Sequence, residues 1–262
     1  MNIIFYKIGS DPEFFIKNEK EFLPSYFFTE GTKENPLEIG NGFKILKDNL
    51  VFEGNIPPAS NKVDWIKNML FLKNEINLLV KKENAFIFED DIATFSTEYI
   101  ETMDGQLFGC SSYKDAWKLK EFNSPIFKDN DRTCGFHIHI SYDLVDLERI
   151  YPSKEMMNAV LARALDFFLG IPSDHIFYCK KRRQGYGSLG SYRDTSYGME
   201  YRPLGGHFTK DCYLSWIYDQ VQKAINFLQN IENVNKLLSL PKPKKEYYNF
   251  LGINLEEQIN IN

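Results

Sequence analysis

Short alternating runs open the chain and return twice later, separated by three longer stretches of helical rhythm. Ile3 to Ile8 and Phe14 to Lys17 are β-prone, with the breaker cluster Gly9-Ser10-Asp11-Pro12 between them, which predicts two strands around a turn. Gly135 to Ser141 alternates Phe136, Ile138 and Ile140 with His137, His139 and Ser141, so both histidines leave one face of a strand. Tyr197 to Pro203 does the same, setting Met199 and Tyr201 opposite Glu200 and Arg202. Asn61-x-x-Asp64 offers a cap, and Val63, Ile66, Leu70, Asn74, Asn77 and Leu78 carry a helix to about Lys82. Ser153 caps a second helix through Met156, Val160, Ala164 and Phe168, which Gly170 and Pro172 should close. A third runs from about Asp211 to Leu237 on Leu214, Ile217, Val221, Ile225 and Leu228, before Pro241 and Pro243.

This order is compatible with α+β or α/β by pattern alone. No internal repeat or linker interrupts it, so residues 1–262 read as a single domain, with the helix and tail of 211–262 peripheral. Composition tips the balance toward a sheet. The 22 Phe and 15 Tyr supply large flat side chains, which suit a strand-based core. Net charge is −5 with both signs interspersed, which gives no positive field for non-specific nucleic-acid binding. The N-terminus lacks the basic start and apolar run of a signal peptide, and no run of about 18 apolar residues occurs. The expected setting is the cytoplasm, with no membrane contact. Cys110, Cys134, Cys179 and Cys212 are too dispersed for a zinc or redox pair, and read as reduced, mostly buried thiols.

Candidate chemistry comes from a recurrence. Asp11/Glu13, Glu53/Asn55, His137/His139 and Glu200/Arg202 each place polar side chains two apart, so each pair can project into one shared cleft. Glu13, Glu53, His137 and Glu200 together suit a hard cation such as Mg²⁺ or Mn²⁺. A basic set, Lys180, Lys181, Arg182, Arg183 and Arg193, is interleaved with Gly185, Gly187 and Gly190, as binding a polyphosphate requires. Each feature also has an ordinary reading: a solvated Glu, a hydrogen-bonded His, a wet basic surface, a flexible turn. His175 and His207 read as structural.

Taken in order, the motifs resemble the phage-type COOH–NH₂ ligases, amidoligases similar to glutamine synthetase and glutamate–cysteine ligase. The pieces are Gly9-Ser10-Asp11-Pro12-Glu13-Phe14, Gly31-Thr32-Lys33-Glu34-Asn35-Pro36 and Asp48 through Pro58. Phe108-Gly109-Cys110, Gly135-Phe136-His137-Ile138-His139-Ile140, and the block from Arg182 through Tyr186-Gly187 and Tyr192-Arg193 to Arg202 complete them. The resemblance implies an α+β fold of glutamine-synthetase type, a curved, mainly antiparallel sheet with helices on its outer face. It implies ATP and Mg²⁺ (or Mn²⁺) as cofactors, and amide formation through an acyl phosphate. The metal would be held by Glu13, Glu53, His137 and Glu200. Arg202 and Arg193 would face the transferred phosphoryl group, and Glu53 counts with them as catalytic. Lys33, Arg182, Arg183, Tyr186 and Arg193 would contact nucleotide, with Asn55 and His139 in second rank. His207 departs from the large aromatic expected at its position.

The implied partners are a small-molecule or peptide carboxylate and an amine, with nucleobase or cell-wall substrates in range. Two other activities compete: a guanidino-kinase-like phosphotransferase of the same fold, and a cupin-type oxygenase suggested by His137-x-His139.

Overall fold

The computed structural model describes residues 6–102, 113–122, 130–142 and 153–261. Phe108-Gly109-Cys110 and residues 1–5 lie outside them. The strands that build the sheet are β1 (Tyr6–Lys17), β2 (Leu37–Gly40), β3 (Phe43–Asp48), β4 (Val51–Ala59), β5 (Tyr113–Asp115), β6 (Lys120–Phe122), β7 (Phe136–Tyr142), β8 (Ser191–Asp194) and β9 (Gly198–Tyr201). They lie in the order β2-β3-β4-β1-β7-β9-β8-β5-β6, and the pairings along this path are antiparallel. The fold is thus α+β, dominated by one large open antiparallel sheet, as the resemblance implied. Two short strands, Phe22–Leu23 and Phe86–Phe88, pair with the far end of β1.

β1 is one strand through Gly9-Ser10-Asp11-Pro12, not two around a turn. Proline lacks the N–H a central ladder needs, and the pairing of β1 with β4 goes from Ser10↔Ile56 to Glu13↔Glu53 without a bond at Pro12. A register shift between Ile8 and Ser10 absorbs the rest of the irregularity.

Alternation sorts the sheet into two faces. Ile8, Phe14, Phe52, Ile56, Phe136, Ile138, Ile140, Tyr192, Met199 and Tyr201 join the main core. Against that face pack α1 (Lys62–Val80), α2 (Lys154–Leu165) and α3 (Asp211–Phe227), with Trp65 of α1 stacked 6.1 Å from Phe136. The Asn61 cap on α1 is present, its side chain accepting from Asp64 N at 2.9 Å. The buried stripe of α1, however, is Trp65, Met69, Leu72, Ile76 and Val80. The stripe read from sequence faces outward, with Val63 59% and Leu78 58% exposed. Both faces of this helix carry large apolar residues, and the side holding Trp65 takes the core because it buries more area.

Ser153 caps α2 as predicted, accepting from Met156 N at 3.2 Å. Gly170 and Pro172 do not end the path. A wide π-type turn spans Asp166–Gly170, and a further helical segment, Ile171–Ile176, begins with Pro172 in its first turn, where its missing N–H costs nothing. The third helix stops at Phe227, and α4 (Ile231–Ser239) restarts on the Asn230 cap. Residues beyond it reach the core: Tyr248 donates to Phe167 O at 2.5 Å, and Trp216 Nε1 donates to Gln258 O at 2.7 Å. Among the described cysteines Cys134 is buried, but Cys212 is exposed, contrary to the reading of mostly buried thiols. No helix of the described residues is long and apolar enough to cross a membrane.

Candidate active site

The opposite face of the sheet carries a polar row. Cross-strand register sets it out directly: Glu53 of β4 faces Glu13 of β1, Asp11 faces His137 of β7, His139 faces Glu200 of β9, and Glu200 faces Arg193 of β8. Each residue belongs to one of the alternating pairs or to the strand beside them, so the period of two has delivered one continuous surface.

At one end, Glu13, Asp48 and Glu53 each place a carboxylate oxygen within 4.8 Å of the others. Glu13 Oε2 accepts from Gly135 N at 2.6 Å. Burial, then the charge of Asp48, push Glu13 up to about 7, and burial with Asp11 and Asp48 raises Glu53 well above the carboxylate range. Crowding like charges out of water has that effect. Lys33 reaches over the group and pairs with Asp48 Oδ2 at 2.9 Å. Asp48 was not singled out from sequence. It ends β3 opposite Val51, immediately before the left-handed Asn49, and a carboxylate just before such a tight turn is the signal that could have found it.

At the other end the charges are paired. Arg202 Nη1 donates to Glu200 Oε1, and Arg193 Nη1 donates to Glu200 Oε2 at 3.0 Å. Arg202 Nη2 donates to the Tyr186 oxygen, whose hydroxyl meets His137 Nε2 at 2.9 Å. His137 Nδ1 lies 3.3 Å from Glu200 Oε1. Burial, then Arg202 and Arg193, hold the imidazole well below its usual range. A neutral ring accepting at Nε2 and donating from Nδ1 satisfies this set. His137 Nε2 also stands 3.8 Å from Glu13 Oε1, which joins the two ends. Glu13, Glu53, His137 and Glu200 are therefore neighbours in one row.

Between them, His139 Nε2 is 2.8 Å from Asp11 Oδ2, while its Nδ1 bonds the Tyr197 hydroxyl. Asn55 donates to Asp11 Oδ1 at 2.8 Å. Burial works against charge on His139, yet Asp11 outweighs it and raises the imidazole. His139 is thus an ion-paired link in the row.

Arg182 and Arg183 have other work than the expected nucleotide contact. Arg182, 1% exposed, donates from Nε to Cys134 O at 3.0 Å, from Nη1 to Pro203 O at 2.6 Å and from Nη2 to Leu204 O at 2.6 Å. Arg183 grips Asp174 Oδ1 at 2.5 Å and Pro203 O at 2.6 Å. The glycines close on protein groups too. A Cβ at Gly187 would meet the Arg182 guanidinium at 2.4 Å, and one at Gly190 would meet Trp117 at 2.5 Å, both at positive φ. His207, the departing position, stacks on Phe177 with ring centroids 3.7 Å apart.

Residues 131–249 match the model of the phage phiEco32-like COOH.NH2 ligase-type 2 family. That span resembles the COOH–NH₂ ligase family. It includes His137, His139, Tyr186, Arg193, Glu200 and Arg202, while Glu13, Lys33, Asp48 and Glu53 precede it. Among solved structures, a novel glutamine synthase homolog aligns with 84% of this chain and 55% of its own at 11% identity, with a TM-score of 0.39. A bifunctional glutathione synthetase from Pasteurella multocida aligns with 98% of this chain and 47% of its own, again at 11% identity, with a TM-score of 0.40. The chain therefore spans about half the length of these proteins. No curated protein matches it.

Proposed function

We propose that this chain activates a carboxylate with ATP as an acyl phosphate and transfers the acyl group to an amine. One observation carries the reading: on a single sheet face, a cluster of carboxylates adjoins a cluster of guanidinium groups. Phosphoryl transfer to a carboxylate calls for both, because the transferring oxygens must be neutralised without water.

The donors fit a divalent cation. Three carboxylates converge within 4.8 Å, oxygen ligands suit Mg²⁺ or Mn²⁺, and burial, then the charge of Asp48, raise Glu13, which a bound cation would offset. Glu13, Asp48 and Glu53 would hold one ion, and His137 with Glu200 offers donors for a second. Bound there, the metal would supply charge neutralisation and a template for phosphate oxygens. Arg202 is oriented by Glu200 and Tyr186. Arg193 keeps a buried Nε donor without a hydrogen-bond partner among the described residues, available to an anion. In the first step the substrate carboxylate oxygen attacks the γ-phosphorus and ADP leaves. In the second the amine nitrogen attacks the acyl carbon, phosphate leaves, and the ammonium proton passes to solvent or base.

A screen of amino acids, polyamines and modified bases for ADP release tests this, followed by the mass of any condensed product. The reading requires ADP, phosphate and an amide in equal amounts. ADP with a phosphorylated nitrogen product would mean a guanidino-kinase-like phosphotransferase instead.

A further inference from the structure

Lys33 lies outside the span matched by the ligase family, yet its ammonium sits on the carboxylate cluster. Its backbone is fixed on both sides: Gly31 O accepts from Lys47 N at 2.9 Å, and Thr32 N bonds Asn35 O at 3.1 Å. A Cβ at Gly31 would stand 2.4 Å from Ile45 O, so only glycine lets this loop lie so close to β3. From that anchor the side chain arches to Asp48 Oδ2 at 2.9 Å, while remaining 42% exposed.

We infer that Lys33 is a resident counter-ion of the carboxylate cluster, which a divalent cation must displace from Asp48 to bind. This rests on the metal reading above. Three carboxylates at this separation repel one another, and a nearby ammonium lowers that repulsion. An Asp48 oxygen bonded to the ammonium is not fully available to an incoming ion. The loop stays fixed while the side chain, 42% exposed, has room on its solvent side to swing. Lys33 acts through Asp48 and is a positioning residue. Loss of the charge by itself tightens metal binding, so movement of the ammonium off Asp48 on metal binding is the readout that a fixed structural ion pair would not give.

Calorimetric titration of Mn²⁺ alone into the full chain tests this with wild type, Lys33→Gln and Lys33→Arg. Lys33→Gln should bind about tenfold more tightly than wild type, on the scale of removing a unit charge a few ångströms from the ion. Lys33→Arg, which keeps the charge, should bind no more tightly than wild type. Equal or weaker binding by Lys33→Gln overturns the inference and leaves the metal reading standing. Absence of binding by all three overturns both. A second measurement does not depend on a variant staying folded. In reductively ¹³C-methylated wild type, titrated with Mg²⁺, the Lys33 methyl resonance should shift at the concentration where calorimetry shows binding. An unmoved resonance at saturation overturns the displacement.

Discussion

The two ends of the polar row are built from the same kind of residue and solve opposite problems. At the Glu13 end, three carboxylates crowd together with the Lys33 ammonium on one of them, and burial, then the charges of neighbouring carboxylates, raise Glu13 and Glu53. At the Glu200 end, two guanidinium groups share one carboxylate, and the imidazole beside them is driven neutral. Negative charge gathers at one end and positive charge at the other. Substitutions should therefore fail in different ways along a row only a few strands wide.

Glu200→Gln should give the largest effect. It leaves Arg202 buried with its main partner gone, and breaking one side of a buried pair costs about 3–5 kcal/mol. Urea unfolding without ligands should register that loss. A variant as stable as wild type would mean that the guanidinium end is not held by this carboxylate.

Next in size is a pH effect from a buried carboxylate outside the row. Asp166 accepts from Trp117 Nε1 at 2.6 Å, Gly190 N at 2.9 Å and Tyr201 at 2.8 Å, yet burial raises it to about 7. The folded state then holds its proton more tightly than the unfolded chain. Its contribution is fully present below the ordinary Asp range near 4 and is lost as pH rises through about 7. Wild type should lose about 2–4 kcal/mol relative to Asp166→Asn between those limits. Parallel urea titrations of both proteins across pH read the difference directly, and parallel curves would refute it.

Arg202→Lys keeps a charge but loses the planar fork shared between Glu200 and Tyr186. Turnover, measured as ADP release, should fall by about 10² on the scale of lost transition-state contacts, while Mn²⁺ affinity stays close to wild type. Equal loss of both would erase the division between the ends.

What could be read from sequence follows from period and what could not follows from tertiary competition. Glu53/Asn55, His137/His139 and Glu200/Arg202 sit on strands, where a period of two fixes the face whatever packs behind it. α1 has a period too, but with Val63 and Leu78 on one side and Trp65 and Met69 on the other, only the sheet it meets could choose. Arg182 stands in a basic run of the kind that is usually wet. Its burial depends on carbonyls of Cys134, Pro203 and Leu204, far along the chain. Asp48 went unread because its partners come from β1 and β4 while it closes β3. A hairpin terminus carries no periodic signal of its own.

The smallest expected effect is the sharpest test of the carboxylate end. Glu53→Gln keeps the shape and removes a carboxyl whose ionisation burial and neighbouring carboxylates oppose, so the ligand-free protein should gain about 1 kcal/mol, the order of a like-charge contact in partly solvated surroundings. The same change should weaken Mn²⁺ binding about tenfold or more, since a neutral amide is a poorer ligand for a hard cation. The gain in stability and the loss in affinity have opposite signs, which a misfolded variant cannot imitate. Thermal unfolding without metal and calorimetric titration with Mn²⁺ measure the two. Should Glu53→Gln lose stability, as Glu200→Gln is expected to, the carboxylates are held by partners rather than forced together, and the contrast between the ends fails.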